Sequence, residues 1–184
     1  MRRALLTLAL LLALPGFAQE RSSKTHVSAN GQFSVRLVEQ SPGKCRVEML
    51  KESGPAWTFE GCVGTVDDFY FASNDGERFW LLRPLVEKGK KAVVDKVGKK
   101  KVRIPAWANA TVAVLYGRNG QKLQERHLQD FLRSSRELGE VRQMAAHFKW
   151  LEGTLGIPGK GPRLTDDEKV EFEAVGAKTY RLSF

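Results

Sequence analysis

Short runs of alternating apolar and polar residues make up most of the chain, and Asn-Gly or Asp-Gly turns separate several of them. The turns are Asn30-Gly31, Asn74-Asp75-Gly76 and Asn119-Gly120. Such residues tolerate the positive backbone dihedrals of tight hairpins, so each turn predicts a strand on its far side. After Gly31, residues 32–38 put Phe33, Val35 and Leu37 on one face, Cys45, Val47 and Met49 alternate in the next run, and Trp57 and Phe59 continue the pattern. Residues 68–73 and 78–83 flank the second turn and carry Phe69, Tyr70, Phe71, Phe79 and Trp80. That density of aromatic residues suits a sheet packed on both faces. Residues 111–116 and 121–125 flank the third turn, and 169–173 with 178–183 form a terminal hairpin around Gly176. The pattern predicts a mainly β domain of antiparallel hairpins, arranged as a sandwich or as propeller-like blades, with one or two short helices in its C-terminal half.

The helical prediction comes from a change of period between Leu128 and Trp150. Leu138, Val141, Met144, Ala145 and Phe148 recur at spacings of three and four, Glu137 and Glu140 stand near the start, Lys149 near the end, and Gly153 follows as a stop. This arrangement predicts a helix. A shorter helical turn is expected at Leu128, Phe131 and Leu132.

Gly31, Gly76 and Gly120 are 45 and 44 residues apart, and the acidic turn Asp166-Asp167 lies about 47 residues further on. The spacing is close to that of a propeller blade, with room for four at most. The entry Asn30-Gly31-Gln32-Phe33, the turn Ser73-Asn74-Asp75-Gly76 and the terminal hairpin resemble exported bacterial proteins of unknown function with propeller-like hairpins. The resemblance implies a fold class and brings no catalytic or ligand residues to transfer.

The N-terminus changes the picture by giving an address. Arg2 and Arg3 precede the apolar run 4–14, and Gly16 and Ala18 stand at the minus-three and minus-one positions before Gln19. That is the layout of a secretory signal peptide, expected to cover residues 1–18 and to leave a single β-rich domain over 19–184 in the periplasm or the extracellular medium. The apolar run is shorter than the roughly 20 residues of a membrane span, so no transmembrane anchor is expected. Cys45 and Cys62 then lie on the exported side, where oxidation and an even count favour a disulfide.

Charge is localised. Without Arg2 and Arg3 the chain holds 28 Lys and Arg against 21 Asp and Glu, a net +7. The segment 88–103 accounts for this excess alone, through Lys88, Lys90, Lys91, Lys96, Lys99, Lys100, Lys101 and Arg103 against Asp95. With Val93, Val94, Val97, Val102 and Ile104 interleaved, it reads as an extended two-stranded excursion that attracts anions. Outside the cytoplasm the partners implied are envelope polymers, lipid head groups, another envelope protein, or nucleic acid as a nonspecific polyanion. The preponderance of Lys favours loose electrostatic attraction over bidentate recognition.

Other chemistry is sparse. There is no Gly-x-Ser-x-Gly turn, no phosphate loop and no Gly-x-Gly-x-x-Gly, so no cofactor is expected. His26, His127 and His147 have no short ligand spacing, and a structural metal site is not expected. The acidic pairs Asp67-Asp68 and Asp166-Asp167 read as turns opening strands. The leading expectation is therefore a non-enzymatic binding domain, with two alternatives. One is a secreted hydrolase using Asp67 or Asp68 as acid or base beside the adjacent aromatics. The other is an assembly module whose exposed sheet edges pair with a partner strand.

Overall fold

The structure is a computed structural model and describes residues 20–87, 93–97, 100–104, 106–144, 147–152 and 161–184. Residues 1–19, where a signal peptide is expected, and Lys88, Lys90, Lys91, Lys99 and Ala145 lie outside the described residues. In chain order the strands are β1 Arg21–Ser22, β2 His26–Val27, β3 Phe33–Ser41, β4 Lys44–Lys51, β5 Gly54–Glu60, β6 Phe69–Ala72, β7 Arg78–Leu82, β8 Leu85–Glu87, β9 Val93–Val97 and β10 Lys100–Ile104. A 3-10 turn, Ala106–Asn109, precedes β11 Thr111–Gly117 and β12 Lys122–His127. Two short helices follow, α1 Leu128–Phe131 and α2 Ser135–Gly139, then β13 Arg142–Gln143, β14 His147–Lys149, β15 Arg163–Leu164, β16 Lys169–Ala174 and β17 Lys178–Ser183.

The fold is mainly antiparallel β, as the alternation predicts. β1 and β2 pair along the same edge of β3, which continues into β4 and β5. The second sheet runs β12-β11-β7-β6. Its strands β6, β7 and β11 are buried on both faces, while the edge strand β12 is largely exposed. Tyr70, Ala72, Phe79, Leu81, Val114 and Tyr116 pack with Val35, Leu37, Val47, Met49 and Trp57 of the first sheet. Alternate residues Phe71, Trp80, Leu82, Ala113 and Leu115 join Phe148, Trp150, Val170, Phe172 and Leu182 on the other side. Burying one such side chain contributes roughly 1.5–3 kcal/mol, so this doubly covered sheet is the main source of stability.

The turns repeat in detail. In three of them a hydroxyl accepts from the main chain at the turn's end: Ser28 from Phe33 N–H, Ser73 from Arg78 N–H and Thr165 from Lys169 N–H, each at 3.0 Å. Each hydroxyl also donates to the polar side chain two residues on, Asn30, Asp75 or Asp167. The turns touch one another, since Asn30 N–H donates to Asn74 Oδ1 at 2.8 Å and Asn74 N–H donates to Glu168 Oε1 at 2.7 Å. Glu168 adopts a φ of 58° where the matching position of the second turn is Gly76 at 68°. At Gly76 a Cβ would lie 2.5 Å from the Phe33 ring, so any other residue requires that ring to shift as well as a left-handed backbone. Its carbonyl also accepts from Trp57 Nε1 at 2.7 Å.

The expected helix over Leu138, Val141, Met144 and Phe148 does not form. α2 begins under a capping box in which Ser134 Oγ accepts from Glu137 N–H at 3.1 Å, and it ends at Gly139. The chain then turns extended, so that β14 pairs with β8 and places both Phe148 and Trp150 in the core. The three-and-four spacing coincided with a period of two at its C-terminal end, and pairing with β8, which has no other partner strand among the described residues, won. The shorter helical turn is present as α1 and buries Leu128 and Phe131.

Candidate functional site

Of the basic segment, the described residues form a ribbon. Among the described residues β9 and β10 pair only with each other, with Lys101 opposite Lys96, Arg103 opposite Val94, Lys100 opposite Val97, Val102 opposite Asp95 and Ile104 opposite Val93. Directly opposed residues share a face and neighbours along a strand alternate. Lys96, Lys101, Arg103 and Val94 therefore share one face, and Val93, Val97, Val102 and Ile104 share the other with Asp95 and Lys100. The expected excursion is thus two-stranded and two-faced.

β8 leads towards the ribbon, and its partner β14 sets Lys149 opposite Leu85 and His147 opposite Glu87. Here two cavities, of about 330 and 640 Å3, share Asp67, Asp68, Pro84 and Leu85 in their walls. The smaller is also bordered by Val66, Phe69, Met144, Lys24 and Lys149. Lys149 is only 6 % exposed. The sequence pattern puts it at the end of a helix and hides its burial, because a lysine gives no signal of burial when the element around it is misassigned.

The turn before β6 explains the acidic pair. Asp68 Oδ2 accepts from Thr65 N–H at 2.8 Å, and Tyr70 OH donates to the Thr65 carbonyl at 2.8 Å. Gly64 lets both groups approach, since a Cβ there would stand 2.7 Å from the Tyr70 oxygen and 2.8 Å from Asp68 Oδ2. Burial pushes the Asp68 carboxyl up from its ordinary value, opposed by the Thr65 hydrogen bonds and by Arg83. Arg83 is fixed by donating to the Val63 carbonyl at 3.0 Å. Asp68 thus braces a turn at the cavity wall, and Asp67 is exposed beside it. The other acidic group is also a turn, with Asp167 bound to Thr165 and Lys169 at 2.6 Å each.

The histidines are dispersed among three settings. His127 ends β12 and its Nδ1 lies 3.1 Å from the Asn109 carbonyl, while His147 is in β14 and not in a helix. His26 packs 4.7 Å from the Phe71 ring, and its Nδ1 is sealed without a partner. Among the described residues no group of three or more His, Cys, Asp or Glu converges to hold a metal. Nor is any described helix long and apolar enough to cross a membrane.

Burial holds the His26 imidazole below its ordinary value of 6.5, with Lys24 acting in the same direction and a hydrogen bond with the Tyr70 backbone opposing. The unfolded chain takes up a proton near that ordinary value while the folded imidazole resists. Stability is therefore expected to fall as pH drops through about 6.5, and this contribution stops changing below the folded value. In urea titrations between about pH 7 and about pH 5, His26→Phe should flatten that decline, and equal slopes in the two proteins would show that His26 is not its source.

Compared with known proteins, the chain matches no family model, no curated protein and no solved structure. The site stands on its geometry alone.

Proposed function

We propose that this is a non-enzymatic binding domain that works outside the cytoplasm and engages an anionic partner through the β9–β10 ribbon. The observation that carries the reading is the register, which sets Lys96 directly opposite Lys101 with Arg103 on the same face. Like charges opposed across a two-stranded ribbon repel, so the ribbon alone is less stable than an uncharged one and an anion relieves that cost. The disulfide Cys45–Cys62 supports the export reading, because oxidising compartments are where such bonds persist.

The test is a face-specific comparison. Lys96, Lys101 and Arg103 are replaced together by Gln, Lys100 is replaced alone, and binding is measured to anionic polymers and to phosphatidylserine vesicles at low and moderate salt. Each cation at an anionic surface contributes about 1 kcal/mol, so the triple variant should bind vesicles roughly 100-fold more weakly, and Lys100→Gln no more than about tenfold. The wild-type affinity should fall steeply with salt, and that dependence should become shallower in the triple variant. Equal affinities for wild type and triple variant, or no binding by the wild type, would overturn the proposal.

A further inference from the structure

We infer that the cavity of about 330 Å3 between β6 and β14 is a binding site for a small amphiphile with a single anionic head and a compact apolar body, in class a medium-chain carboxylate, with Lys149 as the counter-charge. This rests on residues separate from the ribbon.

Lysine is almost never fully buried unless paired. The other buried charged side chains obey this. Glu48, 6 % exposed, accepts from Arg36 at 2.7 Å and from Arg46 at 2.6 Å, and Glu171, 8 % exposed, is held by Arg163 and Arg181. The side chain of Lys149, also 6 % exposed, makes no ion pair or hydrogen bond with the described residues. Its ammonium is nevertheless not sealed, since His26 Nδ1 is the one fully buried side-chain N or O atom without a partner among the described residues. The open space that Lys149 borders is the cavity.

The rest of the lining fits an apolar body. Leu85 and Met144, 36 % and 45 % exposed, are two of the four large apolar side chains left uncovered among the described residues, and both border this cavity with Phe69. The volume falls at the lower end of the roughly 300–1,000 Å3 of small-molecule sites. The two carboxylates set the charge of the head. Asp68 is engaged by Thr65 N–H and Asp67 is exposed, so both add negative charge at the wall; among the bordering residues Lys149 and the exposed Lys24 stand against it, a balance that one carboxylate tolerates and a doubly charged phosphate does not.

The probes are octanoate, 1-octanol and octylammonium, which share a chain and differ in the head, titrated against the protein by calorimetry. Octanoate is expected to bind at least tenfold more tightly than either of the others. Lys149→Met should abolish this preference, and Met144→Trp, which fills the exposed side of the cavity, should weaken octanoate at least tenfold. The ribbon triple variant should bind octanoate as the wild type does, which separates this site from the ribbon. Equal binding of octanoate and octanol, no binding of any probe at millimolar concentration, or a preference retained in folded Lys149→Met would each overturn the inference. If Lys149→Met does not fold, the wild-type preference together with the Met144→Trp loss supports the site, and absence of either refutes it.

Discussion

Replacing Trp150 with alanine is expected to cost about 3–5 kcal/mol of stability, the range for truncating a fully buried indole. Trp150 has no exposed surface. It stacks on Phe131 at 5.5 Å and meets Phe172 edge-on at 5.5 Å, and its Nε1 donates to the Arg83 carbonyl at 2.8 Å. Its own carbonyl accepts from Val175 N–H at 2.9 Å. One residue thus joins α1, the terminal sheet and the end of β7, and its loss opens a cavity where three elements meet. Trp150→Phe should recover much of the packing and still leave the Arg83 carbonyl without its donor, a deficit of about 1–3 kcal/mol. Urea denaturation distinguishes the two variants. A loss below about 1 kcal/mol for Trp150→Ala would mean that the terminal sheet does not depend on this contact.

The fold was legible where one residue decided one turn. Gly31, Gly76 and Gly120 all take positive φ, and the strands around them follow the alternation of Val35 and Leu37, Cys45, Val47 and Met49, and Phe79 to Leu82. The fourth turn was legible only from its acidic residues, because Glu168 occupies a left-handed position without being glycine. Its carboxylate reaches Asn74, a contact 94 residues away that no local pattern encodes. The helix expected over Leu138 to Phe148 failed for a related reason. Local spacing competed with a long-range pairing, β14 on β8, and the pairing also buries Trp150. The ribbon was legible because Val93, Val94, Val97, Val102 and Ile104 are interleaved with its basic residues. The cavity was not, since it depends on a lysine buried where two strands 64 residues apart in sequence meet, Leu85 against Lys149.

Removing the disulfide is expected to be the other large effect, and to reach the cavity as well as the fold. The bond joins Cys45, 6 % exposed at the start of β4, to Cys62 just past β5, across a sequence separation of 17. Closing a loop of that size restricts the unfolded chain by roughly 3 kcal/mol, which for a domain of this size corresponds to a fall in Tm of about 6–12 °C in the Cys45→Ser, Cys62→Ser double variant. Pairing of β4 with β5 and the Gly61 N–H to Cys45 carbonyl bond, at 2.8 Å, persist and keep the strands in register. What loses its anchor is the segment after Cys62. Val63 receives Arg83, Gly64 admits Tyr70 and Asp68, and Thr65 holds the Asp68 carboxylate, so the turn that walls the cavity hangs from the bridge. The double variant should therefore bind octanoate more weakly at a temperature where it is still folded, while the ribbon, which among the described residues pairs only with itself, should keep its affinity for anionic vesicles. Thermal unfolding and the two binding measurements on the same preparation test both statements. A Tm within about 2 °C of the wild type would show that the unfolded chain gains little freedom from losing the bridge. Parallel loss of both binding activities would show that the ribbon depends on the segment that Cys62 anchors.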